Sequence, residues 1–264
     1  MKAIFYFIAL VSYVSISQNN STYTVTENGM MTANPKFINE FEIGVFNHNN
    51  KYHTDGQFGA RIYQINNGLN YGKYLWVMGP IPWSAFDERP QLEGHDEDWN
   101  KNIEPYTISN GDQNYWRFYP DLSNFPKDFT IKKALVDIYD IKRTKKQEAL
   151  ELMNKVKKVF REKYPEESYG VYFNEFPDDK EGLDLMIVSF YQKSEWLSKT
   201  NDFQLKYEAV HGKGTFEKFK KDWISNSNGK RSELWSFRED LSGIADPIFF
   251  EFFESSFSMN CLVF

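Results

Sequence analysis

A single cysteine, Cys261, in 264 residues excludes an internal disulfide and a thiolate-built structural zinc cluster. Histidine is almost as scarce: His48, His53, His95 and His211 are the whole supply, so any imidazole chemistry draws on these four. There is no surplus of basic charge. The formal net charge is −6, which argues against a nucleic-acid partner, because neutralising a phosphate backbone needs excess Lys and Arg. The patterns G-x-S-x-G and H-E-x-x-H are absent, as is a full phosphate-binding loop. Gly212-Lys213-Gly214, after His211, therefore reads as a helix break. Long apolar runs are missing too. The stretch Ile4 to Val14 falls well short of the ~20 residues that span a bilayer.

That short run follows Met1-Lys2-Ala3 and precedes Ser15-Ile16-Ser17, the layout of a secretory signal peptide. Residues 1–18 are read as such a signal and the protein as exported, periplasmic or extracellular, with no membrane span once the signal is removed. Aromatic residues are plentiful, at 18%, more than a core alone requires, which leaves rings for a pocket or an interface. The lysine-rich stretch from Lys142 to Lys163 reads as a solvated helix face.

The chain also repeats itself. Trp116-Arg117-Phe118-Tyr119-Pro120-Asp121-Leu122-Ser123 and Trp235-Ser236-Phe237-Arg238-Glu239-Asp240-Leu241-Ser242 both read W-x-F-x-x-D-L-S, 119 residues apart. The stretch before each copy has one order of patterns. In the first, Thr22 to Thr26 alternates as a strand, and Phe37, Phe41, Val45, His48 and Tyr52 keep helical spacing after Asn34-Pro35. Ala60–Ile65 and Lys73–Met78 form a hairpin. Ser84 opens a second helix in capping-box form, which resumes after Pro90 through Leu92, His95, Trp99 and Ile103, before a strand at Tyr115–Tyr119. In the second, Lys133–Ile141 is a strand, Thr144-Lys145-Lys146-Gln147 a capping box, Tyr169–Phe176 and Leu185–Tyr191 a hairpin, and Arg231–Phe237 the closing strand. The hairpins align at an offset of 111, Gly59 with Gly170, Tyr63 with Asn174 and Trp76 with Ile187. Residues 19–125 and 126–243 are thus two β-α-β-β-α-β units. Residues 244–264 form an apolar tail with no assigned role.

Each unit has the ferredoxin-like order, whose four-stranded sheet leaves one face needing cover. Two such sheets in one chain can cover each other, giving an α+β pseudo-dimer. With its Trp-bearing helix starts at Trp83-Ser84-Ala85-Phe86 and Ser194-Glu195-Trp196-Leu197, the chain resembles, over roughly 22–242, the dimeric α+β-barrel superfamily. That superfamily includes antibiotic-biosynthesis-type monooxygenases, stress-responsive barrel proteins and haem-degrading monooxygenases. The resemblance implies two fused ferredoxin-like units packed as an intramolecular barrel. By the pattern of the haem-degrading members it also implies a haem, with His95 as iron ligand and Trp76 or Trp83 as a wall. The Asn those members place in the cleft has only Asn34 as a remote counterpart.

The residues themselves point to the first unit. His48 and His95 lie on apolar helix stripes facing one sheet, where they either converge on a site as base, acid or metal ligands or stay separate as core histidines. His53 closes the first helix, whose C-terminus favours a charged imidazole. Tyr63, Trp76, Trp83 and Trp99 gather around the first hairpin as stacking surfaces or as plain core. No metal is expected, since His95-Asp96-Glu97-Asp98 sets no diagnostic ligand spacing. The leading expectation is an exported protein that binds a small hydrophobic or aromatic molecule between sheet and helices of the first unit. A monooxygenase or haem-handling enzyme is the alternative, and a non-catalytic structural or interaction protein is the third.

Overall fold

A computed structural model describes residues 23–54, 56–108, 112–126, 129–178 and 180–245. The expected signal peptide, Cys261 and nearly all of the apolar tail lie outside the described residues. The first unit runs β1 (Thr24–Met31), α1 (Ile38–Tyr52), β2 (Ala60–Ile65), β3 (Tyr74–Pro82), α2 (Trp83–Asp87), α3 (His95–Asn102) and β4 (Asp112–Phe118). The second runs β5 (Lys133–Ile141), α4 (Lys146–Lys163), β6 (Ser168–Asn174), β7 (Leu185–Tyr191), α5 (Phe203–His211), α6 (Thr215–Asn226) and β8 (Ser227–Phe237). Among the described residues no helix is long and apolar enough to cross a membrane.

The eight strands close into one antiparallel barrel in the order β1-β3-β2-β8-β5-β7-β6-β4. Each half keeps ferredoxin-like order, β4-β1-β3-β2 and β8-β5-β7-β6. The joints are β2 against β8 and β4 against β6, so closure removes the free edges that a lone four-stranded sheet would expose. Strand alternation divides the side chains. Tyr63, Leu75, Trp116, Tyr172, Met186 and Trp235 fill the lumen, while Ile62 and Tyr74 turn outward beneath α1 with Phe41 and Val45. The helices of the second unit cover the other outer face through Ala149, Met153, Val171 and Phe173.

The repeated phrase does one job twice. Its Trp and Phe supply the joint strand, and the following turn buries Leu122 or Leu241. Its serine then completes the neighbouring ladder. Ser123 Oγ accepts from the Val171 amide at 3.0 Å and donates to the Tyr119 carbonyl at 2.8 Å; Ser242 Oγ accepts from the Ile62 amide and donates to the Arg238 carbonyl, both at 2.8 Å. Register corrects the hairpin alignment. Trp76 and Ile187 do correspond, but Tyr63 matches Tyr172 at an offset of 109, because each pairs with the Phe of the joint strand. The β6–β7 connection is two residues longer than the β2–β3 one, and a single offset cannot absorb that.

Helix starts differ from the capping-box expectation. Neither α2 nor α4 has a side-chain cap, and α1 begins at Ile38 after a turn in which Asn34 Oδ1 accepts from the Lys36 amide at 3.1 Å. Burial of the apolar stripes is sufficient to set these helices.

Candidate functional site

The helices α1 and α3 lie across the outer face of the first unit's sheet, and their close approach depends on Gly44. A Cβ at that position would collide with the Asn102 carbonyl oxygen. His48 points from α1 into this seam and is fully buried; His53 is the C-cap of α1 and is buried; His95 is the first residue of α3, entered through Gly94 at φ 77°. The three imidazoles meet, with ring centroids 4.7 Å apart for His48–His95 and 5.3 Å for both His48–His53 and His53–His95. One ring nitrogen of each lies within 4.8 Å of those of the other two.

Hydrogen bonds fix the rings. His48 Nδ1 donates to Asp98 Oδ2 at 2.9 Å, His53 Nδ1 to the Phe58 carbonyl at 2.9 Å, and His95 Nδ1 to the exposed Asp96 at 2.8 Å. His95 Nε2 faces His53 Nε2 at 3.2 Å, and His48 Nε2 is buried with no hydrogen-bond partner. Burial pushes His48 below the ordinary imidazole range against the opposing hydrogen bond from Asp98, and pushes His53 down to about 4. The expectation of a charged His53 at a helix C-terminus is therefore corrected. The desolvation cost of an imidazolium outweighs the helix dipole there. Burial alone would raise Asp98, but bonds from His48 and Asn102 hold its carboxyl below the usual value.

Around the cluster lies a pocket of about 420 Å³, lined by the three histidines, Met31, Trp76, Trp99 and a polar group of Glu27, Arg89 and Gln113. Trp76 stands edge-on to His53 and donates its Nε1–H to Asn49 Oδ1 at 3.2 Å; Trp99 stands edge-on to His48. Glu27 is bound by both Arg89 and Gln113. A second cleft of about 500 Å³ shares His53, Arg89 and His95 and continues past Tyr52 and Leu92. The second unit reaches in from below. Asn49 Nδ2 donates to the Leu241 carbonyl at 2.8 Å, and Gly243 lies so close beneath the end of α1 that a Cβ would strike the His53 carbonyl oxygen.

The other candidate residues lie elsewhere. Tyr63 pairs with Leu75 while Trp76 pairs with Ile62, so Tyr63 and Trp76 face opposite sides of one sheet, and Tyr63 lines a narrow space in the lumen. Trp83 packs with Phe86, Tyr115 and Phe176 and donates to the Tyr23 hydroxyl at 3.2 Å, away from the histidine pocket. His211 bonds the Lys155 carbonyl, beside the break at Gly212. Glu27, Arg89, Gln113 and Asn49 escaped the sequence reading. They come from separate elements and form no local motif.

A haem does not fit this donor set. A porphyrin leaves its iron two axial positions on opposite faces, whereas here three imidazoles converge from adjacent directions. His53 Nε2 lies only 3.2 Å from His95 Nε2, too close for an iron to sit between the two on a straight line.

No known protein-family model matches the chain, and no curated protein matches it in sequence. Solved structures share its fold. A protein provisionally described as a monooxygenase, from Lactobacillus acidophilus, is 9% identical, with 81% of this chain and 94% of that one covered and a TM-score of 0.52. An anthrone oxidase-like protein is 11% identical over 83% and 93%, also at 0.52. A mutant chlorite dismutase from Candidatus Nitrospira defluvii is 9% identical over 83% and 92%, at 0.51. At such identities the likeness is one of fold: the chain has the dimeric α+β-barrel architecture, built as a tandem duplication.

Proposed function

We propose that this chain is an oxidative enzyme of the monooxygenase kind, acting on a small aromatic molecule in the pocket between α1, α3 and the outer face of the first unit's sheet. One observation carries the reading: His48, His53 and His95 converge in a pocket of about 420 Å³ whose walls include two indoles. That volume suits a small organic ligand, and Trp76 and Trp99 offer it flat apolar surface. Glu27, Arg89 and Gln113 supply polar contacts that would orient a substituent. The imidazole cluster is the chemically active wall. Neighbours described as a monooxygenase and as anthrone oxidase-like support an oxidative role over passive binding. Export belongs to the same proposal, on the strength of residues 1–18, and N-terminal sequencing of secreted protein tests it.

The function is tested by oxygen uptake with anthrone and with substituted quinols, alongside quenching of tryptophan fluorescence by the same compounds. Uptake that disappears in Trp99→Ala and His95→Gln is the expected result. Quenching without uptake would return the site to a binding pocket without turnover, and neither signal would overturn the reading entirely.

A further inference from the structure

We propose that His48, His53 and His95 together ligate one divalent first-row transition-metal ion through their Nε2 atoms, with a coordination position left open to the pocket. The inference shares its pocket with the oxidative reading and deepens it, but metal binding is measured apart from turnover.

Asp98, the Phe58 carbonyl and Asp96 can only accept, so each neutral ring carries its proton on Nδ1 and keeps its lone pair on Nε2, and His53 and His95 face each other through those atoms. This is the tautomer a metal requires, and an acceptor behind the far nitrogen is the usual outer support of a metal-bound histidine. Bonds of 2.0–2.1 Å in a tetrahedral site place two ligand nitrogens about 3.3 Å apart. His53 Nε2 and His95 Nε2 are already 3.2 Å apart, and with one ring nitrogen of each histidine within 4.8 Å of those of the other two, closure on an ion needs those separations to shrink by at most about 1.5 Å.

His48 Nε2 is fully buried and receives no hydrogen bond, although buried polar atoms almost always have a partner. An ion at the point of convergence supplies one. Packing does not require histidine in this seam. At the offset of 108 that carries the start of α1 onto the start of α4, His48 falls on Val156, and counting from the positive-φ glycines Gly94 and Gly214, His95 falls on Thr215.

Imidazole donors choose the ion class. Zinc, copper, iron, nickel and cobalt accept them, while magnesium and calcium prefer oxygen. Three histidines with one open position form the donor set of catalytic rather than structural sites. Trp76 and Trp99 line the same pocket as the three histidines, so the ligand class is a small organic molecule with an oxygen or nitrogen donor, such as a phenolate or carboxylate.

The test uses the full chain, stripped with a chelator and titrated with Co(II) chloride. Expected are saturation at one equivalent, ligand-field bands of a nitrogen-rich low-coordinate Co(II) centre, and displacement by Zn(II). His48→Val, which installs the second unit's residue, should retain its far-ultraviolet circular dichroism and lose the bands, and the partly exposed His95→Gln should do the same. Asp98→Asn should weaken Co(II) binding by about 10–100-fold, while His211→Gln should leave it unchanged. The absence of a saturable one-to-one site, or a site unaffected by His48→Val and His95→Gln, would overturn the inference. A metal bound without oxygen uptake would overturn the oxidative function alone. Uptake undiminished after stripping would overturn the metal site as the seat of the reaction.

Discussion

Removing one oxygen atom at each barrel joint tests whether the two halves are held together as their shared phrase implies. In Ser242→Ala the Ile62 amide loses its 2.8 Å partner at a position with no solvent exposure. A buried donor left unpaired costs ~1–3 kcal/mol. The bond to the Arg238 carbonyl adds little, since that oxygen still accepts from the Leu241 amide at 3.0 Å. Ser123→Ala strips the Val171 amide in the same way, from a bond of 3.0 Å at an equally unexposed residue. The serines lie at different joints and share no partner, so the two losses should add to within about 0.5 kcal/mol. The double variant then loses ~2–6 kcal/mol, a large part of the ~5–15 kcal/mol of a typical domain. Urea unfolding followed by tryptophan fluorescence reads the midpoints, with equal slopes confirming that stability alone has changed. Ser236→Ala, whose hydroxyl accepts from Asn66 on the surface, should stay within about 0.5 kcal/mol of the parent. If either joint serine is neutral while its counterpart is costly, the joints are not equivalent and the reasoning fails.

Gly44→Ala should cost ~1–3 kcal/mol through overpacking against Asn102 and Ile103, and should weaken Co(II) binding because α3 carries His95 away from His48; urea unfolding and the Co(II) titration report the two effects. The Glu42 carboxyl is held below its ordinary value chiefly by Arg238, with burial opposing and Tyr74 assisting. Its folded pKa lies under the unfolded one, so its stabilisation is complete above pH 4.5 and fades as pH falls through the folded value. Arg238→Met should flatten the acid limb of a stability–pH curve. Tyr63→Phe should leave fluorescence quenching by aromatic ligands unchanged, since that ring lies in the lumen, whereas Trp99→Ala should weaken it.

Much of the architecture was legible because it is written in periodicities that survive without any partner. Lys133–Ile141 and Ala60–Ile65 were bounded as the structure has them, and Phe41, Val45 and His48 share one buried stripe. The polar end of β1 was not legible. Glu27, Asn28 and Gly29 are poor strand formers, yet they pair with both β3 and β4, and tertiary pairing overrides propensity there. Hairpin register failed for a related reason. A ladder fixes which residues face each other, while a loop of unknown length hides the count between them.

The site divides along the same line. That His48 and His95 face one sheet follows from helical spacing, but their meeting depends on how closely two helices pack, which Gly44 decides through an atom it does not have. His53 is a ligand-binding candidate that the sequence alone leaves at a helix end, a place for a cap or surface group; that end is roofed by Gly243 from the far half of the chain, 190 residues away. The second unit therefore does more than cover a sheet. Its closing turn carries Leu241, Ser242 and Gly243, which bind Asn49, complete β2 at Ile62 and bury the carbonyl of His53. The second half carries Val156 and Thr215 where the first has His48 and His95, while its last turn packs beneath the helix that carries two of the first half's imidazoles. On that logic Gly243→Ala, far in sequence from all three histidines, should shift the end of α1 and reduce Co(II) affinity as Gly44→Ala does. The equivalent change in the other half, Asn124→Ala, should leave the Co(II) titration untouched.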